Sequence, residues 1–210
     1  MLVTLAHGSR HPQAAPLISE LTENCARSLG VSHMCLDLLE PNLEPLTHAL
    51  DAGQQVTIVP LLFTQAFHAR VDIPALFAPV HDRYPEQVHL TEILGTGEDM
   101  AALIAKRATQ DAPDAQGYIL YAVGSSRKAA NEAVKDLAQR VAHILNKPVR
   151  VHFATSSRGV MPEKTEHIIP LFSTHGLLLD KINNCPSVSQ PLGLDLHDII
   201  LNRYSSKDSK

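Results

Sequence analysis

Two histidines, His7 and His68, each follow an apolar run of the kind that forms a buried β-strand. His7 comes directly after the run at residues 2–6, and His68 lies shortly after the run at residues 56–63. If both runs are parallel strands, both imidazoles lie near the carboxyl ends of one sheet, the edge at which open α/β sheets bind ligands. Neutral imidazole nitrogens bind first-row divalent metals. The pattern therefore predicts that His7 and His68 share one metal ion.

A candidate third ligand, Glu40, follows the apolar run at residues 34–39 and so falls at the same predicted sheet edge. A carboxylate beside two imidazoles is a ligand set that suits first-row divalent ions. A solvated acid ahead of a helix is an equally good explanation of Glu40. Asp72 could orient an imidazole as a hydrogen-bond acceptor, or it could pair with Arg70.

Two glycine–serine turns could bind anions. The letters G-S-R at residues 8–10 and G-S-S-R at residues 124–127 each follow an apolar run and precede a helix-length segment. Free N–H groups at a helix N-terminus attract carboxylates and phosphates. Gly and Ser are also routine at strand–helix junctions, and neither turn is a P-loop. The residues predicted to bind an anionic substrate are Ser9, Arg10, Arg70, Gly124, Ser125, Arg127 and His175.

The elements that must position these residues alternate along the chain. Short apolar runs typical of strands lie at residues 2–6, 34–39, 56–63, 88–92, 118–123, 149–154 and 167–172. Helix-length segments lie at residues 12–29, 43–52, 66–83, 98–109, 128–146, 174–182 and 195–204. This alternation predicts βαβ units, parallel sheets and an α/β fold.

The two halves of the chain resemble each other. The letters A-H-G-S at residues 6–9 match A-V-G-S at 122–125, and I-V-P-L at 58–61 matches I-I-P-L at 168–171. Two landmarks in the same order favour a duplication. The alternative is that strand–Gly–Ser–helix turns recur in any α/β protein.

A duplication predicts two similar lobes, residues 1–113 and 114–210, facing each other across a cleft, with a polar linker at 111–117. The first lobe has 6 basic and 13 acidic residues, a balance of −7, and the second has 12 and 9, a balance of +3. One lobe thus suits a cation and the other an anion, unless the difference is chance surface variation. His175 could face the cleft, although a helix-start role explains it as well.

Composition narrows the class of protein. The net charge of −4 gives no reason to expect nucleic-acid binding. No segment approaches the roughly 20 apolar residues of a membrane span, and no signal segment is evident, so we expect a cytoplasmic protein. Cys25 and Cys35 fall in apolar stretches, which predicts reduced core cysteines.

These motifs together resemble the sirohydrochlorin chelatases, the class II tetrapyrrole chelatases of siroheme and cobalamin synthesis. The resemblance rests on L-A-H-G-S-R at residues 5–10, on V-P-L-L at 59–62 leading to H-A-R-V-D-I-P at 68–74, and on E-P-N-L at 40–43. It continues through the second half, so it covers nearly the whole chain. Further similar segments lie at residues 169–172, 176–182 and 191–193.

The resemblance implies two flavodoxin-like lobes and a lyase that inserts Co²⁺ or Fe²⁺ into sirohydrochlorin without ATP. The family's metal-binding histidines fall on His7 and His68, which would also serve catalysis because a neutral imidazole can accept a pyrrole proton. The expected partners are the tetrapyrrole and the metal, with no cofactor beyond that metal, in a monomer or homodimer. The residues expected to bind the carboxylates of sirohydrochlorin are Arg10, Arg70, Arg127 and Lys128.

The chain departs from the family pattern in two places. The letters T-Q-A-F at residues 64–67 replace a more usual glycine-containing stretch, and Val123 stands where the first half has His7. A single metal site is therefore expected. Two other functions stay open: a carrier that binds a metal or tetrapyrrole without turnover, and a phosphate-handling α/β enzyme that uses the paired turns.

Overall fold

The computed structural model describes residues 1–156 and 159–206 of the chain. The strands are β1 (Leu2–Ala6), β2 (His33–Asp37), β3 (Val56–Pro60), β4 (Val88–Leu90), β5 (Gly117–Ala122), β6 (Val149–Phe153) and β7 (Glu166–Pro170). The α-helices are α1 (Ala14–Leu29), α2 (Glu44–Asp51), α3 (Ile73–Arg83), α4 (Glu98–Asp111), α5 (Lys128–Leu145), α6 (Leu177–Asp180) and α7 (His197–Ser205). A π-helical turn (His68–Asp72) leads into α3, and a 3-10 turn (Gly193–Leu196) leads into α7.

The chain forms two compact units, each with its own parallel sheet. Unit 1 comprises Met1–Gly95 and the C-terminal stretch from Leu196, and unit 2 comprises Thr96–Asp195. The sheet of unit 1 has the order β2-β1-β3-β4, and that of unit 2 has the order β6-β5-β7. All pairs are parallel, as the alternating pattern predicts.

The central strands β1, β3 and β5 are nearly continuous apolar runs because their side chains are buried on both faces of a sheet. In unit 1 the core joins strand residues such as Leu5 and Ile58 to Leu46 of α2 and Phe77 of α3. This packing fixes the strands that carry the residues of interest at their carboxyl ends.

The two units are similar α/β lobes, as the repeat predicts. The order β6-β5-β7 of unit 2 corresponds to β2-β1-β3 of unit 1. The registers also correspond, because Leu5 pairs with Pro60 in unit 1 and Tyr121 pairs with Pro170 in unit 2. The backbone N–H that follows each proline donates to the strand alongside, from Leu61 to Leu5 and from Leu171 to Tyr121, both at 2.8 Å.

The compact units differ from the predicted division at 113/114 because two helices pack away from the sheet that precedes them. Helix α4 follows the sheet of unit 1 but packs on α5 and β7 of unit 2, whereas α7 packs on α1 and β3 of unit 1. The polar segment at 111–117 consequently lies inside unit 2, where the hydroxyl of Tyr118 donates to the carbonyl of Ala112 at 2.8 Å. The apolar face of α4, which is fully buried, accounts for this arrangement.

The cysteine prediction is correct for Cys25 and wrong for Cys35. Cys25 is buried in α1, whereas Cys35 is exposed on β2, the edge strand of its sheet. Both are free thiols. Among the described residues, none of the helices combines the length and the apolar character needed to cross a bilayer.

A buried polar network in unit 2 centres on His167, which is only 4% exposed. The hydroxyl of Ser189 donates to a carboxylate oxygen of Asp111 at 2.5 Å, so its oxygen is left to accept from His167 Nε2 at 2.8 Å. Nδ1 of the neutral ring then accepts from the hydroxyl of Ser187 at 2.7 Å. Burial lowers the pKa of His167, and the charge of Asp111 opposes that effect.

The lowered pKa of His167 predicts a loss of stability in mild acid. The folded protein binds this proton less readily than the unfolded chain, whose histidine pKa is near 6.5. The free energy of unfolding should therefore fall as the pH drops below about 6.5, with a slope of up to about 1.4 kcal/mol per pH unit for this one proton. Urea unfolding between pH 5 and pH 8 should show the slope, and His167→Gln should reduce it. A His167 pKa at or above 6.5 in an NMR titration would contradict the prediction.

Gly124 should be intolerant of a side chain. Its φ of +87° disfavours other residues, and a Cβ would lie 2.5 Å from Thr155 Oγ1 and 3.0 Å from Phe153 Cβ. Gly53 has a similar φ of +81° but open space around it. Both alanine variants should lose about 1–2 kcal/mol from the left-handed backbone, and Gly124→Ala should lose about 1–3 kcal/mol more from overlap. Equal losses in urea unfolding would show that the close approach is unimportant.

Candidate metal-binding site

The structure brings the rings of His7 and His68 together at the carboxyl edge of the unit 1 sheet. His7 directly follows β1, and His68 begins the π-helical turn after β3, the strand paired beside β1. The ring centroids are 4.4 Å apart, and the ring planes are inclined at 48°. Two imidazoles at this separation can offer nitrogens to one small ion after modest rotation of their side chains.

Asp72 orients the imidazole of His68. Its carboxylate oxygen lies 2.5 Å from His68 Nδ1, one helical turn along the chain. An ionised carboxylate only accepts hydrogen bonds, so Nδ1 carries the proton and donates it. In the neutral ring Nε2 therefore keeps its lone pair, which is the arrangement that carboxylate-bound metal ligands show.

A second acid, Asp37, approaches the turn that follows His7. Gly8 has a φ of +97°, and a Cβ at this position would lie 2.1 Å from Asp37 Oδ1. The same oxygen accepts the backbone N–H of Leu39 at 2.7 Å, which holds the carboxylate in place. Glycine at position 8 is thus required both by the backbone and by the side chain beside it.

The environment favours the neutral form of His7. Although His7 is exposed on one side, its partial desolvation is the largest influence and lowers its pKa, and the neighbouring His68 lowers it further. The carboxylates of Asp37 and Asp72 act in the opposite direction but do not cancel the effect. A neutral imidazole is the form that binds a metal or accepts a proton.

Sequence reasoning missed Asp37 because it placed the end of the second strand too late. The predicted run at residues 34–39 made Glu40 the acid nearest the strand end, whereas β2 ends at Asp37, paired with Ala6 of β1. The sequence signal that could have found it is its charge, because Asp37 is the one charged residue within the run at 34–39.

Glu40 is exposed in the turn after β2. Within residues 1–156 and 159–206, no three His, Cys, Asp or Glu side chains form a group that could hold a metal ion. The structure therefore brings His7 and His68 together without Glu40, and the role of Glu40 as third ligand stays a prediction.

The predicted anion-binding residues of unit 1 surround the histidine pair in sequence. The hydroxyl of Ser9 accepts the backbone N–H of His11 at 3.2 Å and so shapes the turn before α1. Arg10 follows in the same turn, and Arg70 lies in the π-helical turn, two residues after His68; both are exposed. Each can reach solvent and a bound anion without breaking the packing of the unit.

The turn of unit 2 reproduces the backbone of the turn of unit 1. Gly124 again has a positive φ, and the hydroxyl of Ser125 accepts the N–H of Arg127 at 3.1 Å. The Ser125 N–H, however, donates to the side chain of Asn131 at 2.8 Å, so this amide is already bonded within the unit. Arg127 and Lys128 begin α5 and are exposed.

His175 is half-buried in the segment between β7 and α6. Val123, at the position equivalent to His7, is an exposed apolar side chain. Roles for Gly124, Ser125, Arg127 and His175 in binding substrate stay predictions.

Comparison with known proteins identifies relatives for this arrangement. The model of the CbiX family matches residues 1–111. A sirohydrochlorin ferrochelatase of Priestia megaterium is 30% identical over 144 residues, which are 64% of this chain and 54% of that relative. The chain thus spans about half the length of this relative.

Solved structures of similar proteins share the fold. The sirohydrochlorin chelatase SirB from Bacillus subtilis subspecies spizizenii in complex with cobalt superposes with a TM-score of 0.79 at 24% identity, covering 99% of this chain and 94% of that one. SirB from Bacillus subtilis with Fe³⁺ gives 0.77 at 21% identity, covering 100% and 97%. CbiX, the terminal enzyme of siroheme biosynthesis in denitrifying bacteria, gives 0.68 at 21% identity, covering 98% of each chain. The CbiX family model matches residues 1–111, which are more than half of this chain, and the chain therefore belongs to the CbiX family.

Proposed function

We propose that this protein inserts a divalent metal, Co²⁺ or Fe²⁺, into sirohydrochlorin in siroheme or cobalamin synthesis. The observation that carries the proposal is the pair of imidazoles, His7 and His68, with ring centroids 4.4 Å apart at the ligand-binding edge of a parallel sheet. The relatives support it, since one is a sirohydrochlorin ferrochelatase and one SirB structure contains cobalt.

The histidine pair suits a metal that must be released to a second ligand. Two neutral nitrogens bind Co²⁺ or Fe²⁺ but leave most coordination positions open to the incoming pyrrole nitrogens. Few protein ligands also mean that the metal is held loosely enough to leave. A closed cage of four protein ligands would hold it as a structural ion instead.

Metal insertion also requires that the pyrrole nitrogens lose their protons. We assign this role to His7, because Asp72 orients His68 as the metal ligand of the pair. The lowered pKa of His7 keeps it neutral near pH 7, so that it is ready to accept a proton. Asp37 lies close enough to stabilise the resulting imidazolium, since its charge already acts on His7.

The carboxylates of sirohydrochlorin need cationic partners. In unit 1, Arg10 and Arg70 are exposed near the metal-binding residues in sequence and are the proposed contacts. Arg127 and Lys128 at the start of α5 are proposed for the same task, with Ser125 and His175 as polar contacts. Arginine is well suited because its planar fork binds carboxylates through two parallel hydrogen bonds.

We also propose that the metal is the only inorganic partner, that insertion needs no ATP, and that the reaction takes place in the cytoplasm. An assay with purified protein, sirohydrochlorin and Co²⁺ or Fe²⁺, followed by absorbance, tests the central proposal. Repeated turnover without nucleotide supports a chelatase. Binding of sirohydrochlorin or metal without formation of the metallated product would indicate a carrier instead.

His7→Ala and His68→Ala should each reduce the rate of metallation by more than about 100-fold. Loss of a partner that only orients a metal ligand already costs about 10–100-fold, and these residues are proposed as the ligands themselves. His81→Ala, at an exposed position on α3, is the matched control and should keep full activity. Circular dichroism must show that all three variants are folded. Wild-type rates in either test variant would rule out the pair as the metal site.

Glu40→Gln tests whether the metal is bound by His7 and His68 alone or by Glu40 as well. If Glu40 joins the metal during the reaction, the variant should weaken Co²⁺ binding by about 10-fold or more, because a charged ligand is lost. If the pair acts without it, Co²⁺ binding should match that of the wild type. Isothermal titration of the metal alone makes this distinction.

Arg10→Gln and Arg70→Gln should raise KM for sirohydrochlorin more than they weaken metal binding. A hydrogen bond to a charged group is worth roughly 1.5–3 kcal/mol, which corresponds to about a tenfold rise in KM or more. The effect should shrink at high salt, since exposed charges are screened. Arg83→Gln, which removes an exposed arginine paired with Asp51, is the control. Unchanged KM in both test variants would mean that the macrocycle binds elsewhere.

A further inference from the structure

The apolar side chains that unit 1 leaves exposed are concentrated at one edge of its sheet. Each large apolar side chain that is exposed among the described residues of this unit lies either at the carboxyl end of a strand or in the segment between that end and the next α-helix. These side chains are Leu39, Phe67, Val71 and Leu90. Because β1 lies between β2 and β3, Leu39 falls on one side of His7, and Phe67 and Val71 fall on the other.

Phe67 is the most informative of these side chains. The residue is 53% exposed, although burying a phenylalanine side chain ordinarily stabilises a protein by roughly 1.5–3 kcal/mol. Its ring is nearly perpendicular to the imidazole of His68, with an interplanar angle of 87° and centroids 6.2 Å apart. The turn therefore holds an exposed aromatic ring directly beside a proposed metal ligand.

We propose that Phe67 is a substrate-binding residue whose ring contacts the face of the tetrapyrrole while His7 and His68 present the metal. This inference rests on the proposed function. A tetrapyrrole is a flat conjugated ring bordered by carboxylates, so it needs an apolar contact for its face as well as cations for its edge. Aromatic rings favour offset or edge-to-face contact with such a surface. Leu39 and Val71 extend the apolar surface on either side of the histidine pair.

We expect two kinds of residue to bind the macrocycle, cationic residues at its border and Phe67 at its face. Arg10 and Arg70 contact charges at the border of the macrocycle and depend on salt. Phe67 contacts the conjugated ring itself, so its contribution should persist at high salt, because dispersion and apolar burial are not screened. A salt series thus separates the two contributions within one protein.

The test measures binding of sirohydrochlorin without metal to Phe67→Ala, Phe67→Leu and Phe67→Tyr by quenching of substrate fluorescence. Phe67→Ala should raise Kd by about two- to twelvefold, which is the range that an aromatic contact supplies. Phe67→Tyr should restore wild-type affinity, and Phe67→Leu should fall between the two. The increase for Phe67→Ala should be the same at low and high salt.

Ile144→Ala is the matched control. Ile144 is exposed to a similar degree, 49%, but lies in the last turn of α5, which leads to the amino end of β6 rather than to a carboxyl edge. Its Kd should equal that of the wild type. Co²⁺ binding should be unchanged in Phe67→Ala, because the ring is proposed to contact the macrocycle and not to act through His68.

Three results would overturn the inference: an unchanged Kd in Phe67→Ala, an equal loss of Co²⁺ and sirohydrochlorin binding, or a wild-type dimer in sedimentation that Phe67→Ala converts to a monomer. The second would show that Phe67 supports His68, and the third that it contacts another copy of the chain. Failure of the proposed function is a separate result, because it would appear as wild-type protein that binds sirohydrochlorin but never metallates it.

Discussion

The parallel pairing of β1 with β3 is the constraint on which the site depends. His7 and His68 are far apart in the sequence, and only the register that pairs Leu5 with Pro60 brings the ends of their strands to one edge. The pairing in turn depends on burial. Nearly every side chain of both strands is buried, and neither strand contains a charged residue that would favour exposure to water. A slip of β1 by one residue would turn its side chains to the opposite faces of the sheet and move His7 away from the ring of His68. The packing of the apolar core and the geometry of the histidine pair are therefore one constraint.

Electrostatics explain why two imidazoles can remain so close. Two protonated rings would repel each other, and burial adds to the cost of charging His7. Asp72 and Asp37 approach the pair from different elements, the π-helical turn and the end of β2. Both charges favour the protonated form of His7, but burial and the neighbouring imidazole outweigh them. The site thereby keeps one ring oriented by a carboxylate and the other neutral, which is a division of roles suited to holding a cation and receiving protons.

The sequence allowed prediction of features that depend on local pattern. Alternating apolar runs indicate parallel strands, and the position of His7 directly after β1 follows from a run whose end is sharply marked by Gly8. The position of Asp37 could not be predicted in the same way, because the apolar Leu38 and Leu39 extend the run beyond the point where pairing stops. The exchange of α4 and α7 between the units could not be predicted either, because the sequence of an amphipathic helix does not specify which sheet covers its apolar face. Both features depend on contacts between segments that are far apart in the chain, and a local sequence pattern does not specify such contacts.

Comparison of the two units shows which part of the architecture is chemical and which is structural. Both retain a glycine with positive φ after the first strand, a serine whose hydroxyl accepts the N–H two residues later, and the proline register of the third strand. Unit 2, however, has Val123 where unit 1 has His7, and Phe153 at the register position of Asp37. The backbone of the turn is thus kept by sterics and hydrogen bonding alone, without any metal-binding side chain. It follows that the turn is a general way to end a strand and start a helix, and that the metal site proposed for unit 1 depends on the few side chains placed upon it.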